Sequence, residues 1–337
     1  MSTTVEKEPK SFQRTNSSPS IMPREDIEAG SLRHRTRTHS EQALPIASRA
    51  FAGRIGGNQT FTISPADADF LSITAKTPDA APLFTWRSSF ALSAFATPDL
   101  WKEATIEGVG TCLQVYLAGL YAVGLSSSDA GIGRVAGVAM GSVANVFLIS
   151  LFIFGAGPVS GGHFNPLITM ATFMAKLAAF PRAVLYVLAQ CGGAVVAGFV
   201  LRASFGGREG VGFVPGCSVD TEVVTVGEAY AFETMTAFAL LFIAFGVGLD
   251  PRQKGVFGPA LSPILVGLAL GLCTFASGVA RVGYTGASLN PARCLGLMAA
   301  GGRFDYHYIH WAGPITASVL NGIMYRVIPI YKHSKIE

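Results

Sequence analysis

Two Asn-Pro pairs occupy matching places in the two halves of an apolar chain. Asn165-Pro166 lies in SGGHFNPLITM, and Asn290-Pro291 lies in TGASLNPARCLG. In both segments a Ser-Gly or Thr-Gly pair begins five residues before the Asn. A repeated polar break within apolar sequence is typical of pores and transporters. It argues against a receptor or a soluble enzyme.

The composition places most of the chain in a membrane. The 337 residues are 50% hydrophobic and 14% charged, with a mean hydropathy of +0.43. Such a chain is too apolar for an ordinary soluble domain. Of the 46 charged residues (25 Lys and Arg plus 21 Asp and Glu), 22 lie among the first 102 residues. The net charge of +4 gives no support for a nucleic-acid partner.

The charge distribution also predicts the domain organisation. Residues 1–98 are rich in Ser, Pro and charged residues, which predicts a disordered cytoplasmic region with one short surface helix over 81–95. Residues 99–331 form the predicted membrane domain, and 332–337 form a short cytoplasmic tail. An excess of Lys and Arg in alternate connections favours cytoplasmic termini and, we expect, insertion in the plasma membrane.

Six apolar runs in the membrane domain approach the ~20 residues that cross a bilayer. They cover 104–125, 132–155, 182–203, 226–248, 258–279 and 307–330. Two shorter runs, 165–176 and 290–300, start at the Asn-Pro pairs and are too short to cross. Asn is a strong N-cap and Pro favours the first helical position, so each short run is a predicted half-helix.

The number of runs fixes the predicted topology. Three spans in each copy are an odd number, so the copies insert in opposite senses and the half-helices meet head to head. Backbone that enters a membrane and turns back is tolerated only where protein buries it or where it lines a watery cavity. The sequence therefore predicts an all-α membrane protein with six transmembrane helices, two re-entrant half-helices and an inverted repeat.

The ordered motifs resemble those of the major intrinsic proteins, the aquaporins and glycerol facilitators. The resemblance rests on SGGHFNP after span two, NPAR after span five, and a glutamate in spans one and four, and it covers about residues 100–330. It implies an aquaporin-like right-handed bundle that assembles as a homotetramer in the lipid bilayer. The NPARC string is similar to that of the X intrinsic proteins of plants and fungi. The long Ser- and Pro-rich N-terminus fits a fungal member.

The same resemblance implies a passive channel for water and small uncharged solutes such as glycerol, urea and hydrogen peroxide, with protons and ions excluded. A gradient-coupled secondary transporter of a small polar solute is the alternative, because such proteins also use inverted repeats and broken helices. The sequence lacks catalytic motifs and metal-ligand spacings, so we expect neither enzymatic activity, nor a metal, nor a cofactor.

The resemblance places six residues at the pore centre: Asn165, Pro166, Leu167, Asn290, Pro291 and Ala292. The positive ends of the half-helices and the two Asn amides would orient each passing water and interrupt proton transfer. A purely structural N-cap is the alternative role for each Asn. Leu167 stands where the family has Ala, so we expect repacking around it.

The family resemblance places Arg293, three residues after Asn290, at the outer constriction of the pore. Counting back from the Asn-Pro pairs adds Asn145, Gly278 and Ala287 to this predicted selectivity filter, with Ser277 as the alternative to Gly278. This ring is wider and more polar than one narrowed by an aromatic residue and a histidine. Asn145 could instead join helices within the membrane. Arg293 could instead pair with loop carbonyls.

Five further residues receive predicted roles, and the roles of the two glutamates and of the histidine are those that the family resemblance implies. Glu107 and Glu233 would hold the half-helix loops, with proton coupling as the alternative. His163 would line the pore vestibule, with pH sensing as a further role. Cys294 would be a thiol near the pore. Whether it forms a disulfide with Cys217 stays open, because sequence gives no distance.

Overall fold

The computed structural model describes residues 50–55, 62–82, 84–126, 131, 133–207 and 217–327. The predicted tail 332–337 and positions 1–49 lie outside the described residues.

Four short helical elements precede the membrane domain. They are α1 (Phe70–Lys76), a 3₁₀ turn (Pro78–Ala80), α2 (Trp86–Ser89) and a second 3₁₀ turn (Leu92–Ala96). The prediction of one helix over 81–95 is therefore wrong, since α2 and the second turn divide that stretch.

The prediction of disorder throughout 1–98 is wrong for the described part of that region. Asp79 and Ala80 are buried, and so is every residue from 51 to 55. The Asp79 carboxylate accepts hydrogen bonds from Ala179 N at 2.9 Å and from Arg182 Nε at 2.7 Å. A few apolar side chains and one buried ion pair order this segment, and its average composition concealed them.

Two sets of four helices follow in the same order. The first set is α3 (Pro98–Ser126), α4 (Arg134–Ser160), α5 (Pro166–Met174) and α6 (Phe180–Ser204). The second set is α7 (Val226–Ala244, continued by a π turn over Phe245–Leu249), α8 (Gly258–Ala280), α9 (Pro291–Gly301) and α10 (Ile309–Val327). The short helices α5 and α9 are the predicted half-helices.

Five helices in the described part of the chain are long and apolar enough to cross a bilayer: α3, α4, α6, α7 with its π turn, and α8. The sixth long helix, α10, has 19 residues and buries polar side chains such as His310 and Asn321. These polar residues lower its hydropathy. Its packing against α7 nevertheless matches the packing of α6 against α3.

The helix contacts obey an approximate twofold symmetry. The α3–α6 contact corresponds to α7–α10, the α6–α9 contact to α5–α10, and the α3–α4 contact to α7–α8. The remaining large contact, α4–α8, joins equivalent helices of the two repeats. We call the face where the described chain starts and ends the terminal face. There the Arg326 guanidinium of α10 lies 5.1 Å from the centre of the Trp86 ring.

Glycines allow the half-helices to pack tightly against the long helices. A Cβ atom on Gly198 of α6 would lie 2.2 Å from the carbonyl oxygen of Gly296 in α9. Small residues are typical of helix interfaces within membranes, because they let two backbones approach closely. This contact fixes α9 against α6 and so positions the residues at its N-terminus.

Candidate pore and its lining

Each half-helix begins at an Asn that caps its own first turn. The Asn165 Oδ1 atom accepts a hydrogen bond from Leu167 N at 2.9 Å, and Asn290 Oδ1 accepts one from Arg293 N at 3.2 Å. Pro occupies the first helical position of both half-helices. The caps satisfy backbone donors that would otherwise lack partners.

The same two Asn side chains join the half-helices tip to tip. Asn165 Nδ2 donates to Leu289 O at 2.7 Å, and Asn290 Nδ2 donates to Phe164 O at 3.0 Å. Phe164 and Leu289 adopt left-handed backbone conformations, with φ of 48° and 53°. This conformation is unusual for large side chains. Sequence reasoning missed both residues, although each directly precedes an Asn. Each amide keeps one N–H that the cross-bond does not use.

A small cavity lies at the junction of the half-helices. Its volume is about 40 Å³, and its lining includes both Asn165 and Asn290. A space of this size holds only a few water molecules. A second cavity, of about 620 Å³, opens on the face opposite the terminal face. Residues at the ends of α3, α4 and α8 line it.

Three residues line both cavities: Asn145, Thr274 and Arg293. They therefore surround the passage between the wide vestibule and the central cavity. Gly278 lines only the vestibule, and Ala287 lines only the central cavity. Each of the four predicted filter residues thus borders at least one of the two spaces.

Two residues at this passage, Thr274 and Tyr121, were not predicted from the sequence. Thr274 lies one helical turn before Gly278, and this spacing was the available signal. The Tyr121 hydroxyl on α3 donates to Asn145 Oδ1 at 2.6 Å, so Tyr121 fixes the orientation of that amide. Ser277, the alternative to Gly278, accepts a hydrogen bond from Ala287 N at 3.0 Å and is buried.

Arg293 is anchored on one side. Its Nη2 donates to Ser288 O at 3.0 Å and lies 4.0 Å from the sulfur of Cys294. Cys294 is bonded to Cys217, with the two Cα atoms 5.4 Å apart. The pairing that the sequence left open is therefore present, and Cys294 is not a free thiol. The disulfide ties the connection before α7 to the first turn of α9.

Glu107 holds the loop before the first half-helix. Its carboxylate accepts hydrogen bonds from His163 N at 3.0 Å, Phe164 N at 2.5 Å, Ser160 Oγ at 2.6 Å and Gln190 Nε2 at 2.9 Å. The side chain is fully buried. All four donors meet one carboxylate, which accounts for an ionisable group at this depth.

Glu233 makes the equivalent contacts in the second repeat. It accepts from Ser288 N at 2.9 Å and from the Tyr284 hydroxyl at 2.9 Å, and its Oε1 lies 2.8 Å from His310 Nδ1. The other ring nitrogen of His310 lies 2.9 Å from Cys217 O. His310 therefore connects the loop glutamate to the disulfide region, a link that sequence reasoning missed.

The side chain of His163 is enclosed on the terminal face. Its Nε2 lies 2.7 Å from Gly53 O and its Nδ1 lies 3.1 Å from Thr169 Oγ1. A carbonyl only accepts, so Nε2 carries a proton. Gln190 Nε2 donates to the Thr169 hydroxyl at 3.0 Å, which frees that hydroxyl to donate to Nδ1. The contacts are those of a neutral ring.

Leu167 lies away from the passage. Its side chain has no exposed surface and belongs to an apolar cluster with Ala237 and Leu240 of α7. The residues lining the central cavity do not include it. The part of the Leu167 side chain that exceeds an Ala is therefore accommodated in the packing between the two repeats.

Comparisons with known proteins agree with this geometry. Residues 94–325 match the family model described as Major intrinsic protein. The chain is 29% identical to Aquaporin TIP1-2 of Musa acuminata over 68% of this chain and 86% of that protein. It is 31% identical to Probable aquaporin TIP3-1 of Oryza sativa subsp. japonica, over 69% and 84%. The X-ray structure of the aquaglyceroporin from Plasmodium falciparum superimposes with a TM-score of 0.54 at 20% identity, over 68% of this chain and 96% of that chain.

Proposed function

The chain belongs to the major intrinsic protein family, and from that premise we propose that the passage between its half-helices is a passive channel for water and small uncharged solutes. One observation carries the proposal. A central cavity of about 40 Å³ lies where two capped half-helices meet, and a vestibule of about 620 Å³ leads to it through Asn145, Thr274 and Arg293.

The charges along this passage oppose cations. Each half-helix directs the positive end of its dipole, about half an elementary charge, toward the centre. Arg293 adds a full positive charge at the passage. The free N–H groups of the Asn amides can donate only to the oxygen of a passing water. That orientation interrupts the chain of donors and acceptors that proton transfer requires.

The polar groups at the passage favour solutes larger than water. Asn145, Thr274 and Arg293 present an amide, a hydroxyl and a guanidinium, while Gly278 and Ala287 add little bulk. Tyr121 already occupies the oxygen of Asn145, which leaves its amide N–H groups for solute. We therefore include glycerol, urea and hydrogen peroxide among the permeants.

The finer assignments rest on sequence features. The NPARC string supports membership of the X intrinsic proteins, and the long N-terminal region supports a fungal source. The distribution of Lys and Arg supports cytoplasmic termini, and we propose the plasma membrane as the location. A homotetramer fits the many large apolar side chains exposed on the long helices, for example Phe147 and Leu151 of α4, although lipid would cover them equally well.

Stopped-flow swelling of proteoliposomes tests the function. Purified protein is compared with empty liposomes for water, glycerol, urea and hydrogen peroxide in parallel. We expect fluxes that follow the solute gradient in both directions without saturation. Saturation, or dependence on an imposed proton or ion gradient, would instead favour the secondary transporter.

A filter variant tests the assignment of the passage. Asn145→Phe places an aromatic ring between the two cavities, so it should reduce glycerol and urea flux more than water flux. Val143→Phe on the same helix is a matched control, because Val143 is exposed on the outer surface. An equal reduction for all solutes would contradict the proposed filter.

A further inference from the structure

We propose that residues 51–55 form a plug that closes the pore at the terminal face, and that their displacement opens it. The proposal rests on the proposed function, since a plug requires a pore. Residues 51–55 adopt neither helix nor strand, and all five are buried. Phe51, Ala52 and Arg54 have no exposed surface, and Ile55 has 1%.

The plug lies between the two repeats. Ala52 and Ile55 belong to one apolar cluster that also contains Leu167 of the first half-helix and Leu249 after α7. The cluster contains residues of both repeats, so the plug is packed into the interior that the two repeats share. Such a position differs from that of a segment packed on the outer surface.

The plug occupies polar groups that a water path would need. Gly53 O lies 2.7 Å from Nε2 of His163, the residue that the family resemblance places in the vestibule. Ile55 N donates to Gly161 O at 2.9 Å, in the loop that leads to Asn165. The plug backbone therefore makes the hydrogen bonds that water would otherwise make at this mouth.

Arg54 clamps the plug to the end of α4. Its Nη1 lies 3.0 Å from Gly157 O, 2.8 Å from Pro158 O and 3.1 Å from Val159 O. These carbonyls belong to the last turn of the helix, where the dipole favours a cation, and Gly157 O also accepts from Gly161 N at 3.0 Å. Release of the clamp exposes polar groups that water can satisfy, and it also withdraws Ala52 and Ile55 from the apolar cluster, so opening the plug has both a polar and an apolar cost.

A second contact holds the first residue of the plug. The Phe51 ring lies 3.9 Å from the Arg182 guanidinium, which pairs with Asp79 at 2.7 Å. Ala52 N donates to Asp79 O at 2.7 Å. The plug and the segment around Asp79 are therefore joined through one buried cation at the start of α6.

Water permeability of full-length variants in proteoliposomes tests the plug. Arg54→Ala removes three charge-assisted hydrogen bonds, and the loss of even one shifts an equilibrium by about tenfold. The substitution should thus raise the permeability per channel by about tenfold or more where the plugged state dominates. Phe51→Ala should act in the same direction. Arg87→Ala, an exposed position in the same N-terminal region, serves as the matched control and should leave permeability unchanged.

Thiol labelling supplies a readout that does not depend on transport. Ala52→Cys is introduced with and without Arg54→Ala and exposed to a bulky maleimide, and labelling of the parent cysteines is subtracted. We expect slow labelling of the buried position and labelling about tenfold faster when the clamp is removed.

The combined outcomes separate the two proposals. Equal labelling and equal permeability in all variants, with a conducting parent, refute the plug and leave the channel intact. Faster labelling with unchanged permeability shows a mobile segment that is no barrier, and also refutes the plug. Faster labelling without conduction by any variant refutes the channel itself.

Discussion

Glu107→Gln should destabilise the loop before the first half-helix without changing the size of the side chain. The Glu107 carboxylate accepts from two backbone N–H groups, those of His163 and Phe164, one on each oxygen. An amide has one acceptor oxygen and one NH₂ group. Whichever way the new amide turns, its NH₂ faces one of these backbone donors.

The expected cost follows from the contacts. A buried N–H without a partner costs about 1–3 kcal/mol. The same NH₂ also faces one side-chain donor, Ser160 Oγ or Gln190 Nε2, and that side chain can turn its own oxygen toward the NH₂. The two remaining hydrogen bonds lose their charge and weaken by about 1 kcal/mol each, from about 1.5–3 to about 0.5–1.5. The total is about 3–5 kcal/mol, a large part of the usual stability of a protein. At about 2–4 °C per kcal/mol, the melting temperature should fall by roughly 6–20 °C.

Thermal unfolding in detergent, followed by circular dichroism, measures this shift. Water permeability in proteoliposomes should fall as well, because the loop positions Asn165. Glu222→Gln is the control, since Glu222 is exposed in the connection before α7. Glu233→Gln should cost less, because a single backbone N–H, that of Ser288, is shared between its two oxygens and keeps one acceptor. An unchanged melting temperature for Glu107→Gln would refute the reasoning, because the carboxylate charge would then not hold the loop.

Three further predictions concern packing and the disulfide. Cys217→Ser should lower the melting temperature, because the bond to Cys294 closes a stretch of 77 residues and contributes about 4–5 kcal/mol; reductant should affect the parent but not the variant. Leu167→Ala should cost about 2–5 kcal/mol of stability yet retain transport, since the side chain is buried outside the passage; loss of all solute flux in a well-folded variant would contradict this. Gly198→Ala should destabilise by about 1–3 kcal/mol, because its methyl would lie 2.2 Å from a carbonyl of α9. Gly192→Ala on the same helix has open space within 4 Å and should be neutral or slightly stabilising in the same melting assay.

Local chemistry explains which elements were predictable. The half-helices were predicted over 165–176 and 290–300 and occur as Pro166–Met174 and Pro291–Gly301. An N-cap followed by Pro specifies a helix start within a few residues, and apolar length identifies a span. No distant contact is needed for either inference.

Long-range pairing explains the rest. The Tyr121–Asn145 hydrogen bond joins different helices, and the Cys217–Cys294 bond joins the connection before α7 to the start of α9. In both pairs, the sequence around one residue has no feature that identifies its partner. The plug is a harder case, because the five residues FAGRI are too short to show a period and lie in a polar region. Their burial depends on partners that are distant in sequence, such as Gly157 and Gly161.

The two mouths of the passage differ although the repeats are related by approximate symmetry. The symmetry covers the helix contacts, the loop glutamates and the reciprocal Asn hydrogen bonds. Both repeats supply residues to each of these features. It does not extend to the disulfide with His310 beside the vestibule, nor to residues 51–55 on the terminal face, which precede the first repeat. A symmetric centre can orient water and exclude ions from either side, but it cannot distinguish the two sides. Any difference in access must therefore come from residues that the two repeats do not share, and on the terminal face these include the proposed plug and its Arg54 clamp.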